Sequence, residues 1–259
     1  MLLGAHVDAT DPLAEGKVRD ADLVQFFLGD PQDWKKPPPR PDADVLRASD
    51  LPIYVHAPYV VNLASPNNRI RIPSRKILAD QATAAARIGA RALIVHGGHV
   101  GAGSDPAAGI ENWRKTFERF DPPLPILIEN TAGGEHAMAR RLEAIARLWA
   151  ALDRWVRAGK VGFCLDTCHA HAGGEALVGL TERALSVTGR IDLVHANDSK
   201  DGFGSGRDRH ENFGAGRIDP DALVAVIAAA NAPVVCETPG GVDGQAADIA
   251  FLRGRLPAG

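Results

Sequence analysis

Ile126-Leu127-Ile128-Glu129, the span from Met138 to Val156, and Val161-Gly162-Phe163-Cys164-Leu165-Asp166 together hold one complete unit of the fold. The two outer runs are apolar almost throughout rather than alternating. That is the pattern of parallel strands covered on both faces. Between them, Met138, Leu142, Ile145, Trp149, Leu152 and Val156 recur in steps of four and three. This spacing keeps a single apolar stripe along a 3.6-residue helix. Parallel neighbours need a crossover of this length, so the segment predicts a strand–helix–strand unit.

The same grammar extends in both directions. Further strand-like runs lie at Leu2–Val7, Leu23–Phe27, Ile53–His56, Ala92–His96, Asp192–Ala196 and Val234–Glu237. Helical patterns occupy Ile77–Gly89 and Pro220–Ala230, the second opened by Asp219 as cap and Pro220 in the first turn. Eight such units in 259 residues predict an α/β fold, a (β/α)8 TIM barrel, with an open doubly wound sheet as the alternative. Nothing resembling a linker divides the chain, so residues 1–259 are expected to form one domain. The run Lys35-Lys36-Pro37-Pro38-Pro39-Arg40-Pro41 reads as a stiff loop.

Composition narrows the setting. Charged residues make up 24% and hydrophobic residues 45%, which excludes disorder. No apolar run approaches the roughly 18 residues of a membrane span, and MLLGAHVDAT lacks the layout of a secretory signal. Cys164, Cys168 and Cys236 are too few and odd in number for a disulfide framework. A cytoplasmic protein with no membrane partner is expected. The formal net charge of −3 speaks against a nucleic-acid partner unless bound cations reverse it.

Ionisable residues fall where such a barrel would use them. His56, His96, Glu129, Asp166, His195 and Glu237 each end or closely follow a strand run. In a parallel barrel those ends share one face, where active sites sit. So many ionisable groups are costly to desolvate together, and a divalent cation supplies the missing charge. His169 follows Asp166 by three residues. Asp208 and His210 sit two apart, so an extended backbone turns both to one side and Arg209 to the other. Mixed imidazole and carboxylate donors suit zinc, and also manganese or iron. Each residue alone reads more readily as a hydrogen-bonded structural group than as a ligand. Their joint placement favours the metal. His6, His99, His136 and His171 are assigned structural roles, although His171 competes with His169. Cys164 and Cys168 read as buried thiols. The His96-Gly97-Gly98-His99 loop lacks the Lys of a phosphate-binding P-loop.

At these residues the chain resembles the endonuclease IV family of apurinic/apyrimidinic endonucleases, zinc-dependent TIM barrels. The resemblance rests on VHGGHVGAG (95–103), IENTAGG (128–134), CLDTCHAHAGG (164–174), HANDSKDGFGSGRDRHENFGAGRI (195–218) and CETPGG (236–241), with HAPYVVNLASP (56–66) as a weaker match. It implies three zinc ions: the first held by His56 and His96 with Glu129 bridging to the second, the second also by Asp166, His195 and Glu237, and the third by His169, Asp208 and His210. It further implies Tyr59 and Val60 as a DNA-inserting pair. Where the family carries an Arg that fills the base stack, alignment through Trp34 places Gln32. The family's HPGSH is HGGH here, a loss of proline expected to loosen that loop.

The implied reaction is hydrolysis of the phosphodiester 5′ to an abasic site in double-stranded DNA. A metal-activated hydroxide attacks, leaving a 3′-hydroxyl and a 5′-deoxyribose phosphate, with Glu129 and Glu237 as catalytic groups. Three zinc ions would also reverse the net negative charge. Phosphate contacts would come from Arg209, with Lys200, Arg207, Arg69 and Arg71 as further candidates, and the protein is expected to be a monomer. Two competing readings are a sugar isomerase or epimerase using only Glu129, Asp166, His195 and Glu237, and a DNA-damage binder without catalysis.

Overall fold

Short, almost wholly apolar strands can satisfy their backbones only by pairing on both edges, and the computed structural model, which describes residues 1–256, closes eight of them into a barrel. In chain order the strands begin β1 (Leu3–His6), β2 (Leu23–Phe27), β3 (Ile53–His56), β4 (Leu93–His96), β5 (Ile126–Glu129), β6 (Val161–Asp166) and β7 (Leu193–His195). A small antiparallel ribbon follows, β8 (Asp198–Ser199) with β9 (His210–Glu211), and β10 (Val234–Cys236) completes the wall. All barrel pairings are parallel, and β1 closes the ring by pairing with both β10 and β2.

The helices are α1 (Pro12–Val18), α2 (Ala43–Ala48), α3 (Asn68–Arg87), α4 (Pro106–Phe117), α5 (Leu142–Arg157), α6 (Thr167–Gly173), α7 (Leu180–Thr188), α8 (Pro220–Ala230) and α9 (Gly241–Arg253). Helix α8 has the expected bounds, and the Asp219 side chain accepts from the Asp221 amide at its start. Two helices differ from expectation. Helix α3 begins nine residues before Ile77, because Asn67 caps it by accepting from the Arg69 amide. Its first two turns are mostly polar, so apolar periodicity shows only from Ile77 onward. Helix α5 begins at Leu142, not Met138. Met138 is buried, but its amide is drawn away to the Gly98 carbonyl.

Side-chain parity along the strands positions the site. Leu23, Tyr54, Ile94, Leu127, Cys164, Leu193 and Val235 form a buried cluster inside the barrel, one from each strand except β1. Successive side chains on a strand alternate faces, so the residue two further on also points inward. Those residues are Gln25, His56, His96, Glu129, Asp166, His195 and Glu237. An apolar layer thus underlies a polar one. The larger core, including Phe26, Val55, Trp113, Leu148 and Trp149, fills the space between barrel and helices.

Candidate metal centre

Glu129 ends β5 and is fully buried at the middle of the polar layer. One carboxylate oxygen, Oε2, lies 3.1 Å from His56 Nε2 and 3.3 Å from His96 Nε2. The other, Oε1, lies 3.1 Å from His195 Nδ1 and 3.0 Å from His169 Nδ1. Glu237 follows β10 and brings Oε2 to 3.3 Å from the same His195 nitrogen. Asp166 ends β6, caps α6 by accepting from the His169 amide, and faces His210 Nε2 at 3.7 Å. The ribbon delivers Asp208 and His210. Asp208 Oδ1 stands 3.0 Å from His169 Nε2 and 3.2 Å from His210 Nε2.

All nine sequence-predicted ligand positions therefore converge. They fall into three groups, each with donor atoms within 4.8 Å of one another and the first two sharing Glu129: His56, His96 and Glu129; Glu129, Asp166, His195 and Glu237; His169, Asp208 and His210. A further combination, Asp166, Cys168 and His210, substitutes a thiol. Burial pushes the Cys168 thiol up to about 12, so in the metal-free protein it stays protonated. Cys164 behaves likewise, and both are the buried thiols expected.

The donors fit divalent cations chemically. His169 Nε2 and His210 Nε2 are buried, lie beside Asp208 without forming a well-aligned hydrogen bond, and aim into the cluster. Outer hydrogen bonds fix which nitrogen is free. Nδ1 of His56 donates to the Ala57 carbonyl, Nδ1 of His169 to the Asn130 carbonyl, and Nδ1 of His210 to the Glu237 carbonyl. Without a cation the imidazoles supply the positive charge. Burial opposes this on His169, yet Asp166 and Asp208 hold it well above the ordinary imidazole value. His210 is likewise pushed up to about 9 against its burial, by Asp208 and Asp166. Burial alone would raise Glu129, but His195 and His96 hold it well below the carboxylate range. Asp166 is raised by burial.

The rim carries the candidate DNA contacts. Tyr59 is 55% exposed, with its ring 5.7 Å from those of His56 and His96. Its amide donates to the Pro31 carbonyl, which brings the loop of exposed Gln32 beside it. Val60 is half-buried next to it. A groove of about 350 Å³ runs from Tyr59 past His96, His99 and Thr131 to Gly206 and Asp208. Arg209 turns away from the cluster, as the two-residue spacing of its neighbours requires, and donates twice to Asp201. Arg71 is tied to the Ser65 carbonyl, and Lys200 stands 3.8 Å from Glu211.

The glycine loop after β4 is clamped rather than loose. Trp113 Nε1 donates to the Gly97 carbonyl, Met138 N to the Gly98 carbonyl, and Asn62 Nδ2 to the His99 carbonyl. Gly98 has φ +69°, and a Cβ there would come within 2.4 Å of Asn62 Oδ1, so glycine is what the clamp requires.

Of the residues assigned structural roles, His171 packs edge-on against Phe203, away from the donor groups. His6 instead borders the centre, 3.4 Å from Glu237 Oε1. Gln25, which sequence reading passes over, is fully buried against His195 and Glu237. Its one signal is a carboxamide interrupting the apolar run Leu23–Phe27.

Comparison with known proteins agrees with this architecture. A family profile described as "Xylose isomerase-like TIM barrel" matches residues 17–255. "Probable endonuclease 4" of Mycobacterium tuberculosis (strain ATCC 25177 / H37Ra) is 58% identical over 255 residues, covering 98% of this chain and 99% of that protein. Its counterpart in Mycobacterium leprae (strain Br4923) is 56% identical over 253 residues, covering 98% of each. Among solved structures, endonuclease IV from Thermus thermophilus superposes with a TM-score of 0.80 at 27% identity, over 98% of both chains. A D-tagatose 3-epimerase-like protein reaches the same TM-score at 18% identity over 98% of this chain and 97% of its own, a likeness of fold alone. With near-complete coverage at such identity, the chain belongs to the endonuclease IV family of xylose isomerase-like TIM barrels.

Proposed function

We propose that the protein is an abasic-site endonuclease of DNA base-excision repair. It hydrolyses the phosphodiester 5′ to an apurinic or apyrimidinic site in double-stranded DNA, leaving a 3′-hydroxyl and a 5′-deoxyribose phosphate. The observation that carries this reading is the convergence of nine imidazoles and carboxylates into three donor groups sharing one barrel mouth. The residues fit three zinc ions per chain, with manganese or iron as substitutes. His56, His96 and Glu129 would hold the first, Glu129, Asp166, His195 and Glu237 the second, and His169, Asp208 and His210 the third. Zinc bound there supplies Lewis acidity and lowers the pKa of water to about 7, so a nucleophile is available at neutral pH.

The chain's own residues do the rest. Glu129 turns its two oxygens to different donor groups, which sets the spacing between them. Glu237 faces the same centre and orients the attacking water. Tyr59 and Val60, at the lip beside His56, form a wedge that enters the duplex. Gln32, on the neighbouring loop beside Tyr59, would fill the opened base stack. The groove of about 350 Å³ falls within the roughly 300–1,000 Å³ range that accepts a small organic group, such as an extruded sugar. Arg209 approaches phosphate only by sharing its guanidinium with Asp201.

The test pairs metal analysis with nicking of a duplex oligonucleotide carrying one abasic site. About three zinc ions and a single cut 5′ to the lesion are expected. One ion per chain, no cut and epimerisation of a ketose would replace this reading with the sugar-isomerase one, which leaves His169, Asp208 and His210 without a task. Tight binding of the lesion without cleavage by fully metallated protein would indicate a damage binder.

A further inference from the structure

Gln25 lies on β2 at the inward parity, in the same layer as His195 and Glu237. Its Oε1 is 2.9 Å from His195 Nε2, and its Nε2 is 2.7 Å from Glu237 Oε1 and 3.0 Å from His6 Nδ1. The orientation of the amide is dictated, because reversing it would set its oxygen against the Glu237 carboxylate. Every group is then satisfied. Two amide hydrogens meet two acceptors, and the amide oxygen accepts one proton from His195.

From this we infer that Gln25 is a positioning residue for the four-membered donor group, acting through His195 and Glu237 at once. The inference rests on the metal-centre reading above. By accepting at Oε1, Gln25 holds a His195 proton on Nε2 and turns Nδ1 to the cluster, where it meets Glu129 Oε1 at 3.1 Å and Glu237 Oε2 at 3.3 Å and where a cation would take the place of its proton. By donating to Glu237 Oε1, it occupies one oxygen of that carboxylate and turns the other inward. His56, His169 and His210 are oriented by backbone carbonyls, which no substitution of the bonded residue's side chain removes. His195 presents the opposite nitrogen to the cluster and depends on a side chain. His6, packed against Phe27 with ring centroids 4.5 Å apart, backs the amide from the third side.

The test uses Gln25→Met, which keeps length and bulk but has no amide, and Gln25→Asn, which is too short to reach both partners. Zinc affinity is measured on the full chain by competition with a chromophoric chelator, alongside the melting temperature of metal-free and zinc-loaded protein. For Gln25→Met, one zinc ion is expected to bind about 10–100-fold more weakly. The metal-free melting temperature should fall, because the variant leaves His195 and Glu237 without their amide partner, and the zinc-dependent rise should shrink on top of that fall. Gln25→Asn should show a smaller loss of the same kind. Unchanged zinc affinity in both variants would overturn the inference, as would a drop in metal-free stability with zinc binding intact, which is the mark of a purely structural side chain. A parent protein that holds no zinc would sink the metal-centre reading itself, an outcome visible before either variant is made.

Discussion

Replacing His210 by alanine removes the only imidazole that the ribbon contributes and leaves Asp208 facing His169 alone. The variant is expected to lose one metal ion per chain and about 100-fold or more of its nicking rate, the scale seen when a stabiliser of developing charge is removed. Its fold should persist, since His210 is half-buried on a two-residue strand at the rim. Full metal content and full activity in that variant would refute the assignment. The raised His210 pKa has its own consequence. Because the folded value, about 9, exceeds that of a free imidazole, its ion pairing stabilises the metal-free protein fully below about pH 6.5 and is lost as pH rises through about 9. A cation must displace that proton, so zinc affinity should climb about tenfold per pH unit for each proton displaced until pH approaches 9. Chelator competition between pH 6.5 and 9 measures the slope. At this scale the sequence is informative wherever a residue is charged and terminates an apolar run, as His56, Glu129 and Asp166 do. It is silent on Gln25, an uncharged side chain inside such a run, and on His6, which meets the centre through Glu237 from the other end of the chain.

Strands and helices are readable to the degree that burial imposes a period. Helix α8 has an apolar face and a capped proline start, and its bounds match expectation. The start of helix α3 is hidden because its first two turns are mostly polar. Met138 fits the stripe of α5, yet its backbone serves the β4 loop instead. That loop yields a prediction of its own. Substituting Gly98 by alanine sets a side chain on a left-handed backbone and against Asn62, which should cost roughly 1–3 kcal/mol in denaturant unfolding. It should also weaken the site, because His96 lies two residues upstream. An equally stable Gly98→Ala protein would show that the clamp is slack.

Counting eight strand–helix units predicts a barrel but leaves an open doubly wound sheet as the alternative, and the closed ring of the structure decides between them. The closing pair, β1 with β10, joins the two ends of the chain and leaves no local trace. The proposed DNA-facing surface belongs to the whole molecule as well, because Gln32, Tyr59 and Arg209 come from loops after different strands. Gln32→Arg would add a cation beside Tyr59 and is expected to tighten binding of an abasic duplex several-fold, with a steeper dependence on salt. Unchanged affinity in fluorescence anisotropy would show that this loop does not reach the lesion.

The apolar layer of Leu127, Cys164, Leu193 and Val235 beneath the candidate ligands has one further effect. It seals the barrel from below, so cations can enter and leave only through the opening that the nucleic acid would cover. A bound duplex then acts as a stopper. Stripping of zinc by a strong chelator should slow sharply once an uncleavable abasic analogue is seated, and stopped-flow absorbance would record the delay.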